Sequence, residues 1–100
     1  MQICQVVGTV VSTNKTEKLS GFKLMIVQPV DLSTFKPIGG TYVSVDTVSA
    51  GEGEIVMTVN GSSARQTELT ESRPVDNAIV AIIDTVDVKG QQVFNRNGNE

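Results

Sequence analysis

The side chains of this 100-residue chain that could do chemistry are few, and they gather in one stretch, Ser49 to Arg65 (SAGEGEIVMTVNGSSAR). Glu52 and Glu54 stand two apart, and a carboxylate pair at that spacing could divide acid and base duties. Both sit on a glycine turn, however, where solvation or capping of backbone N–H groups is the plainer role. Gly51-Glu52-Gly53 also has the outline of a phosphate-binding loop, but an acidic residue lies between the glycines and a strand follows where a helix N-terminus is needed. Ser62 and Ser63 become nucleophiles only beside an activating base, and the chain has no histidine. Gly61-Ser62-Ser63-Ala64-Arg65 is not a Gly-x-Ser-x-Gly elbow either, so both serines read as structural. Arg65 can grip a carboxylate or an anion with two N–H donors. A pair with Glu68, Asp76 or Asp84, or with a neighbouring subunit, uses the same geometry. Cys4 is the only cysteine, which leaves no disulfide within the chain and no thiolate pair for zinc. No catalytic, cofactor-binding or metal-binding residue is assigned, no cofactor is expected, and the chain reads as a protein that is not an enzyme.

These residues need elements to place them, and the elements are strands. Gly51 and Gly53 shape a turn ahead of Glu54–Asn60, where apolar and polar residues alternate as in a strand until Gly61. Earlier, Gln2–Thr13 forms a long first strand with Cys4, Val6, Gly8 and Val10 on one face and Ile3, Gln5, Val7, Thr9 and Val11 on the other. Both faces are largely apolar, which predicts that the second meets another subunit. Gly8 marks a bulge or barrel corner. Asn14–Gly21 is a polar loop, and Lys15, Lys18 and Lys23 form a loose basic group at a solvated hairpin. Phe22–Val30 is the second strand, Asp31–Gly40 an exposed irregular loop, and Thr41–Val48 the third strand. Ser62–Gln66 allows a short helical turn, and Gln66–Arg73 is loop. Pro74 and Asp76, the latter able to cap a helix, precede a fifth strand at Ala78–Val86. Asp84 lies inside that apolar strand and should need a partner. Val88-Lys89-Gly90 turns the chain, Gln92–Asn95 adds a short hairpin arm, and Arg96–Glu100 is a frayed tail. The fold class is all-β: one domain over residues 1–100, a small closed β-barrel of about five strands and OB-like topology, with at most a short helical turn.

Composition narrows the function. The formal net charge is −3, so the overall field repels phosphate backbones and acidic membrane surfaces. Aromatics make up 4% of the chain, and Phe22, Phe35, Tyr42 and Phe94 fall on strand, loop and tail. An OB-type nucleic-acid-binding module, the alternative reading, wants several aromatics on one face with basic residues around them. No apolar run approaches the ~18 residues of a membrane span, and MQICQVV lacks a basic, then long apolar, leader. A cytoplasmic setting is the expectation.

Three blocks in order carry a resemblance to a known family: Ser49–Glu54, Gly61–Arg65, and Pro74-Val75-Asp76 leading into Ala78–Val86 (AIVAIIDTV). The opening Ile3–Thr13, of form IxxVxGTVVST, belongs with them. Together they resemble the pentameric vertex proteins of bacterial microcompartment shells, the carboxysome and ethanolamine-compartment family. One departure is Ser49, where many relatives have glycine. The resemblance implies a structural β-barrel protomer that assembles as a homopentamer at the corners of a polyhedral shell, within the cytoplasm. It implies hexameric shell proteins of the same compartment as partners, with neither nucleic acid nor membrane. In such a ring small residues must line the axis, from Ser49, Ala50, Gly51, Glu52, Gly53 and Glu54 or from Ser62, Ser63 and Ala64. The second segment is favoured, because adjacent serines can hydrogen-bond around a ring while Arg65 turns aside.

Overall fold

The computed structural model describes residues 1–11, 22–61 and 76–98. Five strands close into a barrel: β1 (Gln2–Val10), β2 (Lys23–Pro29), β3 (Tyr42–Asp46), β4 (Ile55–Asn60) and β5 (Asn77–Ile82). Their order is β1-β2-β3-β5-β4. Neighbours are antiparallel except β3 and β5, which run parallel with Val45 beside Ala78. This is the OB arrangement expected from the pattern of short strands. Alternation puts Cys4, Val6, Met25, Val27, Val56 and Ile79 inside, with Ala50 reaching in from the turn before β4. With no aromatic ring wholly enclosed, these small and aliphatic side chains suit a narrow lumen.

Gly8 does sit at a bulge. Val6 pairs with Val27 but Gly8 with Ile26, so Val7 is the extra residue and the faces of β1 exchange there. Gly8 and Val10 therefore leave the face of Cys4 and Val6, on which simple alternation had placed them. A Cβ on Gly8 would meet Ile26 Cδ1 at 3.4 Å, on the outside of the barrel.

The outer faces of β2, β3, β4 and β5 are apolar as well. Val45, Val59 and Ala78 are buried there beneath Phe22, Leu24 and Val80. This part of their outer surface is covered within one chain, while Val43 of β3 stays 48% exposed.

Beyond β5 the chain breaks step. Ile83 still donates to the Ile55 carbonyl at 2.8 Å, but the strand ends at Ile82 and a separate hairpin follows, β6 (Thr85–Val88) and β7 (Gln91–Asn95). The expected single strand to Val86 is thus two. Asp84 is not inside a strand, and its side chain is 78% exposed. Lys89 and Gly90 both take positive φ, +52° and +79°, as a tight two-residue hairpin turn requires. Asp76 leads directly into β5 and caps no helix, while its carbonyl accepts the Gly61 N–H at 3.0 Å. Ser62–Gln66 and the Asn14–Gly21 loop with Lys15 and Lys18 lie outside the described residues.

The loop after β2 is more ordered than its composition suggests. Asp31 Oδ1 accepts the N–H groups of Ser33 (2.8 Å) and Thr34 (3.0 Å), and Val30 bridges to Pro37. Those N–H groups, Thr34 foremost, hold the Asp31 carboxyl below its ordinary value. The Gln28 amide donates to the Ile38 and Gly39 carbonyls, both at 2.9 Å. The loop in turn seats the arm, since Phe35 and Phe94 stack with centroids 5.1 Å apart and planes within 4°.

Candidate functional site

The turn Ser49–Glu54 is built by its own backbone and one carboxylate. The Glu54 N–H bonds the Gly51 carbonyl at 3.2 Å, and Gly53 takes φ +88° at the corner. Glu54 Oε1 accepts the Gly51 N–H at 2.9 Å, so the cap expected for a carboxylate here is formed. Two further bonds sew the turn to β1: Gly53 N–H to the Val6 carbonyl (2.7 Å) and Val6 N–H to the Glu54 carbonyl (2.9 Å). Ser49 holds φ +60°, a left-handed angle that costs an L-residue and suits glycine.

The candidate residues do not all face the same way. Ala50 is fully buried in the barrel core, so its side chain anchors the turn and cannot line an axis. Glu52 and Gly53 are exposed, and Gly61 is exposed with φ +61°. Ser62, Ser63, Ala64 and Arg65 lie outside the described residues, as does Glu68.

Glu54 has a partner that sequence reasoning missed. Its second oxygen meets the Arg96 guanidinium at 2.6 Å, and the same guanidinium reaches Asp84 at 3.5 Å. The Arg96 N–H also donates to the Asp84 carbonyl at 2.7 Å. Arg96 is therefore a clasp between turn, barrel and arm, and not part of a frayed tail. Only the Asn-Gly pair that follows it, a turn signal, could have hinted at order there.

One end of the barrel interior is polar. The Tyr42 hydroxyl donates to Gln2 Oε1 at 2.7 Å and lies 2.9 Å from Thr58 Oγ1 and 3.2 Å from Cys4 Sγ. Burial first, and then the Cys4 thiol, push the Tyr42 hydroxyl up to about 12. A phenol so hard to ionise is neither base nor nucleophile near neutral pH. Cys4 is wholly buried, the small interior residue expected of it.

The described surface instead offers apolar side chains in the open. Val7, Leu32, Ile38 and Val43 are each close to half exposed. A cavity of about 510 Å³ opens between the start of β1, β4 and the loop after β2, lined by Met1, Ile3, Val30, Leu32, Ile38 and Met57 among others. A closed barrel with a capped turn thus carries apolar patches on its outside.

Comparison with known proteins gives that barrel its family. Residues 1–84 match the family model described as ethanolamine utilisation protein EutN/carboxysome. The chain is 49% identical over 87 residues to the microcompartment shell vertex protein GrpN of Rhodospirillum rubrum, covering 87% of this chain and 97% of GrpN. It is 43% identical over 96 residues to the carboxysome shell vertex protein CcmL of Synechocystis sp., covering 96% and 95%. Among solved structures, CcmL of Gloeobacter violaceus superposes with TM-score 0.90 at 39% identity, over 97% of this chain and 99% of that one. GrpN, described as a pentameric microcompartment shell protein, superposes with TM-score 0.79 over 88% and 99%. The chain belongs to the EutN/CcmL family. It is accordingly a structural shell vertex protein, at home in the shell of a bacterial microcompartment in the cytoplasm.

Proposed function

We propose that five copies of this chain, each a single vertex-type domain over residues 1–100, form a ring at the five-fold corners of a shell, with hexameric shell proteins of the same compartment around it. Flat sheets of hexamers close into a polyhedron only where five-fold units introduce curvature. The observation that carries the reading is the barrel's outer surface, where Val7, Val43, Leu32 and Ile38 stay open to water around a closed core. The GrpN relative, 49% identical and described as pentameric, supports the same number.

The ring works without catalysis. Glu54 is committed to Gly51 and Arg96, and the whole sequence offers no histidine. Nucleic acid is not a partner: Phe35 and Phe94 cover each other, Tyr42 points into the barrel, and Phe22 packs on the outer cluster. No membrane is involved. Small residues suit the five-fold axis, and Ser62, Ser63 and Ala64 fit that need better than Ser49–Glu54, whose exposed Glu52 would bring five like charges together. Native mass spectrometry of the purified protein tests the assembly. Five chain masses are expected, and a stable monomer at micromolar concentration would overturn it.

A further inference from the structure

The barrel closes at one short seam. β3 and β5 pair at two positions, Val45 with Ala78 and Asp46 with Ile79, where every other seam pairs four or more. At one end of this ladder a side chain lengthens the seam: Thr47 Oγ1 donates to the Ile79 carbonyl at 2.7 Å, and the Thr47 N–H reaches the same oxygen at 3.4 Å. At the other end the register carries Ser44 beside Asn77, one step before Val45 and Ala78. Side chains alternate along each strand, so these two share a face. That face is the interior, because Val45 and Ala78 belong to the outer cluster and Ile79, two residues after Asn77, belongs to the core.

Ser44 is 1% exposed, and its Oγ has no hydrogen-bond partner in the protein. Asn77 Oδ1 is sealed from solvent in the same way and is equally unpaired. Native structures rarely leave such atoms unsatisfied, because burial without a partner is costly. The Asn77 amide bonds the Tyr42 hydroxyl, which donates in turn to Gln2 Oε1 and lies 2.9 Å from Thr58 Oγ1. We propose that one ordered water molecule sits between Ser44 and Asn77, accepting the Ser44 O–H and donating to Asn77 Oδ1. It lengthens the seam at this end as Thr47 does at the other. A hydroxyl and an amide oxygen offer one donor and one acceptor without charge, which suits water and gives a cation little. The third unpaired buried oxygen among the described residues, Asp46 Oδ2, does not change this. Asp46 stands beside Ile79, and its Oδ1 accepts the Val48 N–H at 3.0 Å, on the side away from Asn77. The water also has a structural consequence. Asn77 pairs with Asn60 and follows Asp76, whose carbonyl accepts the Gly61 N–H at 3.0 Å, so the bridge ties β3 to the neck where β4 leaves the barrel and β5 enters it.

A crystal structure of the wild-type protein, at a resolution that places individual waters, tests the bridge whatever the oligomeric state. A single peak within hydrogen-bond distance of both Ser44 Oγ and Asn77 Oδ1, repeated in every copy, is expected. A dry gap between the two side chains, or a direct hydrogen bond from Ser44 to Asn77, would overturn the proposal. So would a peak ringed by oxygens at the shorter spacing of a bound Mg²⁺ or Ca²⁺, about 2.0–2.6 Å. Ser44→Ala removes one of the two partners, and its map should lose the peak. A peak that stays at full strength in that variant would also count against the bridge. Should Ser44→Ala fail to fold, the wild-type map alone decides.

Discussion

Replacing Arg96 by alanine removes the clasp and tests how the turn before β4 is held. The guanidinium sits 2.6 Å from Glu54, whose side chain is 24% exposed, and 3.5 Å from Asp84, which is 78% exposed. Exposed ion pairs contribute from about 0.2 to 1 kcal/mol, and Arg96 itself is 47% exposed, so the upper end applies only to the shorter, better covered contact. The Asp84 contact adds next to nothing, and the Arg96 N–H bond to the Asp84 carbonyl survives in the alanine variant. The total is therefore about 1 kcal/mol, equivalent to roughly 4–8 °C in Tm for a domain of this size. Thermal unfolding should be followed at one fixed protomer concentration, since assembly makes Tm depend on it. A double-mutant cycle with Glu54→Gln isolates the pair, because glutamine can still accept the Gly51 N–H. Coupling near 1 kcal/mol is expected for Arg96–Glu54, with Asp84→Asn almost silent (both ~ by the surface-pair range). Zero coupling in the cycle, or an Asp84→Asn loss as large as that of Arg96→Ala, would refute the reasoning.

Three further outcomes follow from the same geometry. Ser49→Gly should raise stability by up to about 1 kcal/mol in urea unfolding, since it relieves φ +60°, and Ser49→Val should lower it. Tyr42 is the chain's only tyrosine, so absorbance titration reads it alone: ionisation should come at about 12 in the folded protein. Because the folded value lies above the ordinary 10.0, the tyrosine's contribution to stability is complete below pH 10 and is lost as pH climbs toward 12; ionisation at pH 10 with the fold intact would contradict it. Ser63→Phe should break pentamers by crowding the axis while Lys36→Phe in the loop after β2 should not, and equal tolerance of both on size exclusion would remove Ser63 from the axis.

Much of the barrel was legible in the chain because period-2 alternation is a local signal. Cys4 and Val6, Tyr42 against Val43, and the strand ending at Asn60 all fall where alternation places them. Gly8 announced its bulge, but a one-residue insertion reverses every side chain beyond it, and the pattern cannot say on which side of the glycine the extra residue lies. Ala78–Val86 looked continuous because the break at Ile83 and Asp84 lies between two runs of the same period. The outer cluster over Val45 and the polar interior at Ser44, Asp46 and Thr58 are both products of closure, which brings distant strands together and leaves no local trace. The turn itself was readable, down to the capping role of Glu54. Arg96 was not, since an arginine near a chain end acquires meaning only from Glu54, which lies 42 positions earlier in the sequence.

The most direct measurement of the central claim is electron cryo-microscopy of shells assembled from this chain and the hexameric shell proteins of its compartment, averaged about the corners. Five copies of the barrel are predicted at each corner, related by five-fold symmetry. Closed shells whose corners hold no such barrels, or hold them in any other number, would contradict it.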